Sequence, residues 1–318
     1  MNFQKTLENR HSYSESVVSK LREQIASIAP PELAVVVTGS FARREASLES
    51  DVDYFLLIDD EHYGALSPEK IAATHEAVAA AILDAGLKCP SVSGAFGKET
   101  LSSAFYRNVG GNDDTNEKLT LRLLVLLEGD WLFGQAIFNE ARRRLVEDIY
   151  VRAEISDHQI ARFLLNDLIR YWRTIGVDFE FKTVEAGKGW GIRNIKLVYS
   201  RKLMYFSGVL MVAETAQSTR ATKVATLIEL AKLTPLQRID RVFGANCTRM
   251  MSLYANFLEQ IGDSLVRARF EGVTLERNTQ SEEFKRLKNA GHHFSMQLEQ
   301  LLKSTYPLGH PIHHALLF

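Results

Sequence analysis

The sequence predicts an α+β fold: a domain with a small mixed sheet and flanking helices, followed by an all-helical domain. Three observations predict it. A valine-rich run, Leu33 to Val37, leads into Gly39-Ser40, and a second strand-like run spans Asp51 to Ile58. Beyond Gly134 nearly every segment places apolar residues at helical spacing. The 318 residues are about twice a typical domain, which leaves room for two cores.

The elements follow in order. Val17, Val18, Leu21, Ile25 and Ile28 give Ser12 to Ile28 a helical period, and Pro30-Pro31 ends it. Leu33 to Val37 reads as a buried strand and Asp51 to Ile58 as a second. A helix runs from Pro68 to about Leu83, closed by Gly86, and a short strand lies between Leu87 and Ser93. Glu117 to Leu127 is helical. So are Phe138–Tyr150, Asp157–Ile175, Ile192–Ala213, Ala221–Leu233, Gln237–Leu258 and Glu282–Leu302. The domains are therefore placed at 1–150 and 151–318. Charge changes sign at the same point: residues 1–150 carry 15 Lys and Arg against 23 Asp and Glu (−8), and 151–318 carry 23 against 16 (+7).

Composition excludes several classes. With 46% hydrophobic and 24% charged residues the chain is neither disordered nor collagen-like. Cys89 and Cys247 are too far apart in sequence for a CxxC motif, and such sparse cysteine usage fits a reducing compartment. Met1 to Ser19 lacks the apolar run of a secretory signal, and Arg122, Glu128 and Asp130 interrupt the most apolar window, Leu119 to Phe133. The expectation is a cytoplasmic protein with no membrane partner. His292-His293 and His310, His313, His314 lack the Cys or carboxylate company of a transition-metal site and read as structural. Arg142-Arg143-Arg144 reads as a solvated helix face.

The chemistry concentrates in Val37-Thr38-Gly39-Ser40, followed after ten residues by Asp51-Val52-Asp53-Tyr54. Alternation along a strand puts the Asp51 and Asp53 carboxylates on one face, with Val52 and Tyr54 on the other. Two acids held that close stay ionised most readily around a divalent cation, and an oxygen-only donor set suits Mg²⁺ or Mn²⁺. Gly39 and Ser40, leaving a strand and opening a helix, offer backbone N–H groups and a hydroxyl to a phosphate, although Ser40 equally suits a helix cap. Together these features describe a site for a nucleoside triphosphate.

On these residues the sequence resembles the DNA polymerase β-like nucleotidyltransferase superfamily, whose signature is a Gly-Ser turn followed by an Asp-x-Asp strand. Within it the chain is most similar to the transferase portion of bacterial PII uridylyltransferase and to related stand-alone nucleotidyltransferases. Three patches carry this: Gly39-Ser40-Phe41-Ala42-Arg43; the segment from Asp114 through Leu126-Leu127-Glu128-Gly129-Asp130; and Gly189-Trp190-Gly191-Ile192-Arg193-Asn194-Ile195. Arg44 stands where the family usually has Gly, and Asn194 replaces an Asp. No His-Asp dipeptide occurs, so the hydrolase activity of the full uridylyltransferase is not carried over.

The resemblance implies a metal-dependent nucleotidyltransferase that moves a nucleoside monophosphate from a triphosphate to an acceptor hydroxyl and releases pyrophosphate. Asp51 and Asp53 would hold Mg²⁺ or Mn²⁺. Asp114, with Asp113 as the alternative, would supply a third catalytic carboxylate, unless these residues merely cap a helix. Gly39, Ser40, Arg43, Arg44, Lys188 and Arg193 would bind nucleotide phosphates, and the site would lie between the two domains. The acceptor would be a protein, with tRNA or a small molecule as competitors. The alternative from another class is a catalytically silent nucleotide-binding or regulatory protein on the same fold.

Overall fold

Helix α1 (Phe3–Ile25) turns its buried side, Val18, Leu21 and Ile25, onto the sheet that follows it. The computed structural model describes residues 2–60, 64, 66–90, 96–187, 189–276 and 279–317. Strand β1 (Leu33–Val37) is buried along its whole length and ends in a one-turn helix, α2 (Gly39–Ala42). Strand β2 (Tyr54–Ile58) pairs with it antiparallel, Leu33 opposite Ile58 and Val37 opposite Tyr54. Helix α3 (Pro68–Asp84) starts with Pro68 in its first turn and the Ser67 hydroxyl accepting from Lys70 N–H. Strand β3 (Glu99–Leu101) adds parallel to β2, and after helix α4 (Asn116–Leu127) strand β4 (Asp130–Phe133) adds antiparallel to β1. The sheet order β3-β2-β1-β4 is thus mixed. Helix α5 (Gln135–Arg144) packs on β1 and β2 and continues as a π-helical segment, Leu145–Tyr150.

The remainder is helical. Helix α6 (Arg162–Glu180) is followed by α7 (Trp190–Lys196), which runs through a π-helical segment into α8 (Lys202–Thr215). Then come α9 (Arg220–Ala231), α10 (Pro235–Phe243), α11 (Thr248–Gly262), α12 (Ser264–Glu271), α13 (Glu282–Thr305) and α14 (Pro311–Ala315). The chain forms two compact units. One comprises Asn9–Ser156 with Arg220–Thr234; the other comprises Met1–Glu8, Asp157–Thr219 and Pro235–Phe318. Helix α9, which the charge boundary assigns to the second domain, therefore groups with the sheet.

The sheet unit buries Leu33, Val35, Val37, Tyr54, Leu56 and Ile58 on one face, against α1 and against Val78 and Ile82 of α3. The helical unit centres on α8, which is buried nearly all round, and on a stack of Tyr199 with Phe257 at 4.6 Å, flanked by Tyr254 and Phe294. The α+β class is as the sequence predicts. No helix among the described residues is long and apolar enough to cross a membrane.

Several expected elements differ. Strand β2 begins at Tyr54, and Asp51 makes only an isolated bridge to Lys88. Part of the strand expected between Leu87 and Ser93 lies outside the described residues. The expected helix Gln237–Leu258 breaks into α10 and α11 around a 3₁₀ turn at Gly244–Cys247. Arg142 is not solvated: it is buried, with Nε donating to Val125 O at 2.8 Å and Nη2 to Gly129 O, and burial lowers its pKa to about 10. It ties the end of α4 to α5.

At the C-terminus His310 caps α14, its Nδ1 accepting from Ile312 N–H at 3.2 Å, while His313 Nε2 meets Tyr306 O at 2.9 Å. The capping nitrogen must be unprotonated. Burial, with a smaller contribution from His313, lowers the His310 pKa below its usual 6.5, and Glu214 opposes this. The unfolded segment then binds protons more readily than the folded one, so the cap's contribution is complete above pH 6.5 and is lost as pH falls through the lowered value. Amide exchange across residues 306–317 should show protection falling from pH 8 to pH 5; protection unchanged or rising over that range refutes the cap's role.

Candidate active site

The site begins where β1 ends. Thr38 N–H donates to Asp53 O at 2.8 Å, which carries the β1–β2 ladder one residue beyond Val37 and Tyr54. Thr38 and Asp53 are therefore directly opposite, with side chains on the same face. Val52 and Tyr54 are buried in the α1–α3 core, whereas Asp51 and Asp53 are partly exposed. The alternation expected from the sequence is thus present in the burial pattern. Val52 N–H donates to Lys88 O at 2.8 Å, which holds the Asp51–Asp53 segment extended.

Gly39 brings the turn to the acids. Its φ of +70° suits glycine, and a Cβ built there would lie 2.9 Å from Asp53 Oδ2. Any side chain at this position would displace the Asp53 carboxylate, so glycine is required twice over. Ser40 is partly exposed, and as a first-turn residue of α2 its N–H has no intrahelical acceptor.

Glu128, at the C-terminal end of α4, was not singled out from the sequence as a site residue. Its Oε1 accepts from Gly39 N–H at 3.0 Å and its Oε2 from Arg43 Nη1 at 2.6 Å. Arg43 Nε donates to Glu45 Oε2 at 2.8 Å, and all three side chains are at most 7% exposed. The turn is thus fixed from behind by a buried carboxylate–guanidinium–carboxylate chain. The pattern Leu126-Leu127-Glu128-Gly129-Asp130 was the available signal; a Glu at the end of so apolar a helix needs a buried cation or N–H partner.

Arg43 and Arg44 are expected at phosphate, and the structure corrects this: both guanidinium groups are occupied inside the protein. Arg44 Nη2 pairs with Asp130 Oδ2 at 2.6 Å, Nε with Glu15, and Nη1 with the carbonyls of Phe41 and Ala42 at 3.1 Å. Burial works to lower its pKa, but Asp130 and Glu15 outweigh it and the pKa is raised. Its φ of +62° is a left-handed conformation, one that glycine adopts freely and other residues rarely do. The ion pairs hold a backbone that Arg disfavours. Arg44→Ala should cost about 3 kcal/mol of stability, and Arg44→Gly about 1 kcal/mol less because the backbone strain is relieved. Urea unfolding of both variants measures this, and a difference of the opposite sign refutes the strain.

Asp114 also needs correction. Its carboxylate is buried in a two-pronged pair with Arg122, Oδ1 with Nη1 at 3.0 Å and Oδ2 with Nη2 at 3.2 Å, and Gly110 N–H adds a third bond at 2.9 Å. Nor does it cap α4, because Thr115 does so through Lys118 N–H. Asp113 is exposed and accepts from Asn108 Nδ2 at 2.9 Å. On the neighbouring strand, Glu99 is opposite Leu56, on the core face, and pairs with His75 at 3.5 Å. Among the described residues no three His, Cys, Asp or Glu side chains gather into a metal-holding set.

Lys188 and Arg193 are the two other basic residues expected at the phosphates. Lys188 lies outside the described residues. Arg193 is a half-buried residue of α7 in the helical unit. The glycine-rich start of α7 has a packing explanation there: a Cβ on Gly191 would lie 2.3 Å from Phe270 O, at the end of α12. Trp190 packs against Phe284 at 5.8 Å, with the Lys288 ammonium 5.0 Å from its ring.

Residues 6–93 match the model of a family described as Putative nucleotidyltransferase DUF294. The matched stretch contains most of α1, the Gly39–Ser40 turn, Asp51 and Asp53, and it supports a nucleotidyltransferase family for this part of the chain. No curated protein matches the chain.

Proposed function

We propose that the chain is a divalent-metal-dependent nucleotidyltransferase acting through Asp51, Asp53 and the Gly39–Ser40 turn. The observation that carries the reading is the Asp53 carboxylate lying against Gly39, 2.9 Å from where a Cβ would stand, with Asp51 partly exposed two residues earlier. The donor set fits Mg²⁺ or Mn²⁺: two carboxylates with room for phosphate oxygens are how such ions are commonly held. When bound, the cation supplies charge neutralisation to the triphosphate and to the displacement at its α-phosphorus. Asp51 and Asp53 hold it beside the turn, and Ser40 offers its N–H and hydroxyl to a phosphate oxygen. The buried chain Glu128–Arg43–Glu45 keeps that turn from moving, so orientation is established before the nucleotide arrives.

The acceptor is a hydroxyl, and similarity to the transferase portion of PII uridylyltransferase favours one on a protein. The second reading, nucleotide binding without transfer, draws on Asp114, which Arg122 binds through both oxygens. Labelled transfer from each of the four nucleotides, with Mg²⁺ or Mn²⁺ and a cell extract as acceptor source, separates the two. Label fixed by the native chain and not by Asp53→Asn supports transfer. Tight binding of a nucleotide without transfer from any of the four favours the second reading.

A further inference from the structure

Thr38 precedes α2 with extended backbone, the position from which a threonine hydroxyl ordinarily caps a helix. It does not cap this one. The residue is fully buried, and among the described residues its Oγ1 has no hydrogen-bond partner. A buried, unsatisfied hydroxyl is unfavourable, and valine would fill the same space without it. The cross-strand register explains what the hydroxyl faces: Thr38 and Asp53 are directly opposite, their side chains neighbours on one face. Asp53 Oδ2 in turn lies against Gly39.

We infer that the Thr38 hydroxyl is a positioning group for Asp53 in the cation-loaded site, donating to one carboxylate oxygen so that the other is presented to the cation. The inference rests on the proposed function, since it gives Asp53 a metal to hold. In this role Thr38 would act on the acid and not on the substrate, so it is a positioning residue rather than a catalytic one. A hydroxyl–carboxylate bond is charge-assisted, and partners that orient a metal-bound side chain typically change metal affinity by about 10–100-fold.

The test uses the full chain as native, Thr38→Val, Thr38→Ser and Asp53→Asn. Mn²⁺ binding is read from the loss of the free-ion EPR signal in the presence of non-hydrolysable triphosphate analogues, and stability without ligand from urea unfolding. Thr38→Val should unfold at the native urea concentration or above it, yet bind Mn²⁺ about tenfold more weakly. Thr38→Ser should bind within about twofold of native, because it keeps the hydroxyl. If Thr38→Val disturbs packing, Thr38→Ala compared with Thr38→Ser isolates the hydroxyl. Native-like Mn²⁺ binding by Thr38→Val overturns this inference alone, as does weakening that Thr38→Ser fails to restore. A native chain whose Mn²⁺ binding Asp53→Asn leaves unchanged overturns the metal-site reading, and this inference with it.

Discussion

Asp53→Asn is expected to lower nucleotidyl transfer by about three orders of magnitude or more, in line with losing a preorganised electrostatic group, while the folded protein persists. Asn has the shape of Asp, so the contact with Gly39 survives and only charge is removed. The partly exposed position limits any effect on stability. Asp51→Asn should act in the same direction. Transfer rate and Mn²⁺ affinity, measured together, separate loss of the cation from loss of chemistry. A variant that transfers label at the native rate refutes the metal role of this acid.

Glu128→Ala should cost about 3–5 kcal/mol of stability. Both oxygens of Glu128 are in use inside the protein, one on Gly39 N–H and one on Arg43. Truncation takes one carboxylate away from the buried guanidinium of Arg43, and the Gly39 N–H loses the bond that Glu128 gave it. Glu128→Gln should cost less, because its carbonyl can still accept from Gly39 N–H, and the loss that remains comes from its amide NH2 facing the Arg43 donor. Urea unfolding measures both. A loss below about 1 kcal/mol for Glu128→Ala, the range of a surface pair, refutes the idea that this chain holds the turn.

Ion pairs of this kind are what sequence patterns conceal. Arg43 and Arg44 follow a Gly-Ser turn, and their charge alone makes them candidates for phosphate. Whether a guanidinium meets a ligand or a carboxylate of its own chain depends on Glu128 and Asp130, which are distant in sequence. The same holds for Asp114, whose partner Arg122 lies two turns along the next helix. Strands β3 and β4 were equally hidden. Three and four residues long, they have no period of their own and exist because β2 and β1 offer open edges.

The sequence by itself determined the α+β class, strand β1, the helical character beyond Gly134 and the alternation of burial from Asp51 to Tyr54. Each follows from local periodicity, which a single chain carries within a few residues. Only the tertiary structure decided which charged groups remain available to a ligand. It buried Arg43, Arg44 and Asp114 in pairs and recruited Glu128 behind the turn. Among the described residues it also left the Thr38 hydroxyl without a hydrogen-bond partner, across the ladder from Asp53. The physical reason is that a charge leaving water must find its counter-charge wherever the packed chain provides one, and that choice is made across the fold rather than along the sequence.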